Sequence, residues 1–231
     1  MTSSAQFAKE TRSRSPVAST VTSPVAPYVA IGTILCYQVL LAAEIYVRPD
    51  LDVARKPISE YAIGQFGWVM VSAFLLSALS YGSLLAAVRP YLSDRSGNTG
   101  AAILLVCTIS TVGVGVFIAD PITTPMTSLS TRGLLHVVFG TTALLLLPFG
   151  ALLINRSLAR GFATSGQAWR ALRLTGWVPM IGLAAFLVLV AVVVPAEGWP
   201  PRLLFLTYAV WVVTLSRQIA RLARSTKGQT P

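Results

Sequence analysis

The chain has 231 residues, 54% of them hydrophobic and only 11% charged, with a mean hydropathy of +0.69. A water-soluble domain carries about 25% charged residues, so the composition excludes an ordinary soluble fold. The net charge of +10 invites a nucleic-acid reading, but the cations gather at the ends of apolar runs and form no single basic face. No nucleic-acid motif is present either.

Residues 1–26 are rich in Ser, Thr, Ala and Pro, carry Lys9, Arg12 and Arg14, and show no helical or strand periodicity. They are expected to be a disordered tail. Six apolar runs of roughly 17–21 residues follow, each long enough at 1.5 Å per residue to cross a hydrocarbon core about 30 Å thick. They predict spans over residues 27–47, 68–88, 100–119, 134–154, 175–195 and 203–219. The fold class is therefore all-α: a polytopic membrane protein, a bundle of six transmembrane helices with short loops. The six-span domain covers 27–219, and a basic tail covers 220–231.

Orientation follows from the distribution of Lys and Arg, which favour the cytosolic side. The N-tail, the second and fourth connections and the C-tail together hold 13 of them, and the opposite side holds 5. Both termini are thus expected in the cytoplasm, in a bacterial inner membrane. Six of the eight acids (Glu44, Asp50, Asp52, Glu60, Asp120 and Glu197) then fall on or near the outer face.

Most polar side chains have simple expected partners. Glu44 precedes Arg48 by one helical turn, the spacing of an intrahelical ion pair. Glu197, beside Trp199, reads as a loop charge next to an interfacial aromatic anchor. Cys36 and Cys107 lie inside spans, away from any metal-ligand spacing, and read as small buried apolar groups. Pro148 and Pro179 are expected to kink spans four and five. Gly113, Gly115 and the glycines of 176–182 are expected to let helices approach closely.

The chemistry-bearing residues sit in the outer connections. In Arg55-Lys56-Pro57-Ile58-Ser59-Glu60-Tyr61, Pro57 suits the first turn of a helix. Glu60 is favoured there by the helix dipole and is expected to pair with Arg55 or Lys56. The functional alternative makes Glu60 a ligand or acid/base and Ser59 a nucleophile. Asp120, ahead of Pro121, is either a helix stop or an acid turned to the bundle interior. His136, the single histidine, opens span four, either hydrogen-bonded structurally or titrating near neutrality. Glu60, Asp120 and His136 supply oxygen and imidazole ligands suited to a divalent metal. Ser59, His136 and Asp120 supply the residue types of a hydrolase triad, without a nucleophile-elbow glycine pattern.

Six spans, Pro57-Ile58-Ser59-Glu60 after the first, Asp120 with a proline after the third and His136 opening the fourth resemble the bacterial and archaeal membrane proteins of the family named domain of unknown function 998. The likeness covers about residues 28–220. It departs at Phe117-Ile118-Ala119-Asp120-Pro121, where those relatives place the proline before the acid. The resemblance implies a six-span membrane protein with a site at these residues, and it implies no particular reaction. Three readings follow: an enzyme acting on a lipid or lipid-linked substrate, a protein that binds or moves lipid or a small solute, and a structural partner in the bilayer.

Overall fold

The computed structural model describes residues 24–161, 168–192 and 198–227. The expected N-terminal tail up to residue 23, and Glu197, lie outside them. Among the described residues seven helices follow in order: α1 (Ala26–Val47), α2 (Gly67–Val88), α3 (Arg95–Val116), α4 (Thr131–Gly161), α5 (Ala168–Thr175), α6 (Val178–Val192) and α7 (Trp199–Lys227). Short 3₁₀ turns occupy Ile58–Ala62, Arg89–Tyr91 and Met126–Ser128, and no strand occurs among the described residues. Among the described residues six helical stretches are long and apolar enough to cross a membrane. A helix satisfies its own backbone polar groups, which hydrocarbon cannot do.

The surface is inverted relative to a soluble protein. Val39, Leu79, Ile109, Ile181 and Val188 are all more than half exposed, and as a contiguous apolar exterior they are stable only against lipid. Inside, Ile34, Met70, Leu84, Leu104, Leu147, Tyr208 and Trp211 are almost fully buried. Packing follows a ring: α1 on α2, α2 on α3, α3 on α4, α4 more thinly on α6, α6 on α7, and α7 back on α1.

The tightest seam, between α3 and α4, is made by glycine. A Cβ on Gly100 would come 2.9 Å from the backbone nitrogen of Ile154, and one on Gly150 would meet Ile103. In lipid, where apolar surface gains little by pairing with apolar surface, such close approach supplies the van der Waals contact that holds helices together. The expected close packing also occurs at Gly113 against Phe139, Gly115 against Leu75, Gly176 against Asn155 and Gly182 against Thr207.

Asp94 caps α3 and ties it to α4. Its Oδ1 accepts from the Gly97 N–H at 2.7 Å and from the Ser157 hydroxyl at 2.5 Å, and its Oδ2 meets Arg160 at 3.0 Å. The Ser157 and Gly97 donors, with Arg160 behind them, hold the carboxyl below its ordinary value. A depressed carboxyl stabilises the fold above the unfolded-state value, about 3.9, and that contribution disappears as pH falls through the lower folded value. Asp94→Ala is therefore expected to cost about 1–2 kcal/mol at neutral pH. Thermal unfolding of both proteins should show the gap narrowing once the pH drops below about 4.

Several expectations are corrected here. The fifth span, Ala171–Val192, is broken between α5 and α6. The break falls just ahead of Pro179, where a kink is expected, and Pro179 sits in the first turn of α6, where its missing N–H costs nothing. Glu44 does not pair with Arg48. Arg48 leaves the helical path at the C-cap, with φ −125° and ψ 64°, so its guanidinium turns to Asp50 at 2.8 Å and to the Ile63 carbonyl at 2.8 Å. Cys107 is buried as expected, but Cys36 faces outward. The last helix continues through Lys227, about two turns beyond the expected end of the span.

Pro148 lies inside α4, which runs on through it. Having no N–H, it leaves the carbonyl four residues earlier without its helical partner. That carbonyl belongs to Leu144, and the Tyr208 hydroxyl of α7 donates to it at 2.6 Å. Deeper toward the end where α4 meets α5, Asn155 is 1% exposed and fully engaged. Its amide donates to the Leu172 carbonyl at 2.6 Å and to the Thr175 hydroxyl at 3.1 Å, and its carbonyl accepts from the Trp211 indole at 3.0 Å.

Candidate functional site

The end of the bundle that carries the connections after α1 and α3 is organised by the Pro57 turn. Pro57, at φ −63° and ψ 158°, precedes the 3₁₀ turn Ile58–Ala62, and the Glu60 N–H closes onto its carbonyl at 3.1 Å. Glu60 is 8% exposed. One carboxylate oxygen meets Lys56 at 3.3 Å, the pairing the sequence suggested, and the other accepts from the backbone N–H of Ile122. Asp120 accepts from the Ser130 N–H at 2.6 Å and from the Ser130 hydroxyl at 2.8 Å. The same hydroxyl accepts from Gly133 N–H at 3.1 Å, at the start of α4. His136 donates from Nδ1 to the Phe117 carbonyl at 2.7 Å.

Glu60, Asp120 and His136 thus converge on one connection, residues 117–130, each gripping a different part of its backbone. They do not converge on one another. Among the described residues no group of three His, Cys, Asp or Glu is placed to hold a metal ion, so the divalent-metal reading of Glu60, Asp120 and His136 is corrected. Each already engages the protein: Glu60 with Lys56 and the Ile122 N–H, Asp120 with the Ser130 N–H and hydroxyl, and His136 Nδ1 with the Phe117 carbonyl. The triad reading is corrected in the same way: the group that orients His136 is the Phe117 carbonyl, and Asp120 is bound to Ser130.

Ser59 and His136 do meet, across a cavity of about 180 Å³ in the bundle core beneath the Pro57 turn. All the helices that ring it except α6 contribute: Tyr37 from α1, Phe74, Ser77 and Tyr81 from α2, Thr111 and Val114 from α3, His136, Gly140 and Leu144 from α4, and Phe205 and Tyr208 from α7. Most of the wall is apolar. Several hydroxyls are turned to backbone acceptors, Thr111 to Cys107 at 2.8 Å and Tyr208 to Leu144. A carbonyl only accepts, so the Phe117 bond requires the imidazole proton on Nδ1 and leaves Nε2 as the basic atom of the neutral ring.

Two further residues, whose role the sequence reading missed, brace this end. Arg202 is 7% exposed. Its Nη1 donates to the carbonyls of Val53 at 3.3 Å, Lys56 at 3.2 Å and Gly198 at 2.6 Å, and its guanidinium lies 5.1 Å from the Tyr61 ring centroid. Glu44 is fully buried, with neither carboxyl oxygen hydrogen-bonded in the described structure, and the Arg202 Nε and Nη2 are likewise unpartnered. The fields that reach Glu44 come from Arg48 and Arg202. Burial pushes the Tyr61 phenol above its usual value, while Arg202 pulls it the other way. The signal for Arg202 was available: a cation inside an apolar helix is expected to turn toward the protein.

A family model described as Protein of unknown function (DUF998) matches residues 30–218, from the second turn of α1 to within the buried stretch of α7. The chain belongs to the DUF998 family. No curated protein and no solved structure matches it. The matched range takes in every residue of the chamber and of the 117–130 connection in this DUF998 member.

Proposed function

We propose that this protein sits in a bacterial inner membrane with both termini in the cytosol, and that its chamber opens outward and holds a small apolar group. The occupant is the end of a lipid chain or a compact amphiphile, with its polar atom at Ser59 and His136 Nε2. The carrying observation is the size and lining of the chamber. At about 180 Å³ it is comparable to the roughly 150 Å³ cavity that accepts benzene, and smaller than the roughly 300–1,000 Å³ typical of sites for larger ligands. It has room for part of a lipid, not a whole one. Glu60, Asp120, Arg202 and Glu44 act as the frame that keeps the mouth in shape.

Native mass spectrometry of protein purified in mild detergent tests this directly, with a lipid extract as the source of ligand. Wild type should retain a bound amphiphile. Gly140→Leu should lose it while still folding, because a Cβ at Gly140 has its nearest neighbour, Val114 Cγ2, at 3.8 Å and the rest of the side chain fills the chamber. His136→Ala should weaken retention about tenfold, the value of one good hydrogen bond. Equal retention by wild type and Gly140→Leu would remove the chamber from the argument.

A second reading is favoured by the histidine tautomer. With Nδ1 held by the Phe117 carbonyl, Nε2 is the basic atom of the neutral ring, and His136 and Ser59 have the residue types of a serine nucleophile and its base acting on a lipid ester. A fluorophosphonate probe should then label Ser59, and labelling should vanish in His136→Ala. An unlabelled wild-type protein leaves the binding reading alone.

A further inference from the structure

The opposite end of the bundle carries a larger cavity, about 770 Å³, between the last turns of α4 and the corner joining α5 to α6. Its wall changes character along α4. Phe149 and Leu152 come first, then Arg156 and Arg160, at spacings of three and four residues that keep them on one helix face. Trp177 and Arg173 close the other side. The result is a groove that is greasy toward the bilayer centre and cationic toward the water.

Two of the three groove arginines are not spent internally. Arg160 is engaged by Asp94 at 3.0 Å. Arg156 and Arg173 are exposed and form no ion pair or hydrogen bond with any described residue. Trp177 is 53% exposed, placed as an indole anchors at the level of lipid headgroups. By the distribution of Lys and Arg this is also the cytosolic end, where the leaflet itself is anionic.

We propose that this groove is a binding site for an anionic phospholipid. Its phosphate lies between Arg156 and Arg173, and its chains lie along Phe149, Leu152 and Trp177. Guanidinium suits this task because its planar fork meets two phosphate oxygens at once. The apolar wall selects a lipid over a free anion, because a soluble phosphate gains nothing from it.

The test uses the full chain in detergent, titrated with phosphatidylglycerol, with phosphatidylcholine, and with soluble glycerol phosphate, reading bound lipid by native mass spectrometry and protection by thermal unfolding. Wild type should bind phosphatidylglycerol at least tenfold more tightly than phosphatidylcholine. Arg156→Gln with Arg173→Gln should bind it roughly thirtyfold more weakly than wild type, with the lipid-free melting temperature unchanged. If the double variant fails to fold, Arg173→Gln alone, on the exposed face of the short α5, should still lose most of the preference. An undiminished preference in a folded variant overturns the proposal. So does protection by glycerol phosphate equal to that by the lipid, which makes the site one for a soluble anion.

Discussion

Arg202→Ala is expected to destabilise the fold by about 3–5 kcal/mol, because hydrogen bonds from a charged donor are each worth about 1.5–3 kcal/mol and several buried acceptors lose theirs at once. Three carbonyls, on Val53, Lys56 and Gly198, lose their donor together, and the Tyr61 ring loses the cation above it. Glu44, fully buried with no hydrogen-bond partner, is left with Arg48 as its remaining nearby cation, and that group is already turned to Asp50. Thermal unfolding in detergent measures the loss. Glu44→Gln in the same background should recover part of it, because the carboxyl no longer requires compensation. Arg202→Lys should recover little, since a single ammonium cannot reach three carbonyls and lie over a ring as well. A drop below about 1 kcal/mol for Arg202→Ala, the scale of an exposed pair, would show that the guanidinium is not the brace of this end.

Asn155→Ala should cost about 2–3 kcal/mol. The amide serves three elements at once, and its removal strands the buried Trp211 indole N–H and takes one of two side-chain donors from the Leu172 carbonyl, which keeps the Thr175 hydroxyl. Each stranded buried group costs about 1–3 kcal/mol in soluble proteins, while single interhelical bonds in a bilayer average about 0.6, which places the sum between those limits. Trp211→Phe removes one bond and keeps most of the ring volume, so it should cost about 1 kcal/mol. Asn155→Asp is expected to be at least as damaging as alanine, because it sets a second oxygen against the Leu172 carbonyl. Unfolding followed by intrinsic fluorescence distinguishes these variants, and equal stability of Asn155→Ala and wild type would remove the node.

The six spans were legible because their signal is length, which survives ignorance of every contact. The ends were not, and always for the same reason. Hydropathy stops where water begins, whereas helical hydrogen bonding stops where the backbone finds another partner. Thus α3 begins at Arg95, five residues before its apolar run, because Asp94 caps it. In the same way α4 keeps its ladder through Gly161, beyond residue 154 where the run was read to end.

At the site, sequence located Ser59, Glu60, Asp120 and His136 but misjudged what they hold. Counting side chains suggests side-chain partners, and three of these residues bind the backbone of one loop, which no inventory of residue types reveals. Glu44 was assigned the nearest cation along the helix. The assignment failed because Arg48 lies one residue past the helical end, where the spacing rule no longer fixes direction.

The Tyr208 hydroxyl on the Leu144 carbonyl has a mechanical consequence. It is the stitch across the gap that Pro148 leaves in the α4 ladder, and both of its ends stand in the chamber wall. Under the binding reading proposed above, a guest carrying its own hydroxyl would compete for that carbonyl and loosen α4 at the point where its ladder is already interrupted. Tyr208→Phe removes the same stitch without a guest, leaving the Leu144 carbonyl without its cross-helix donor.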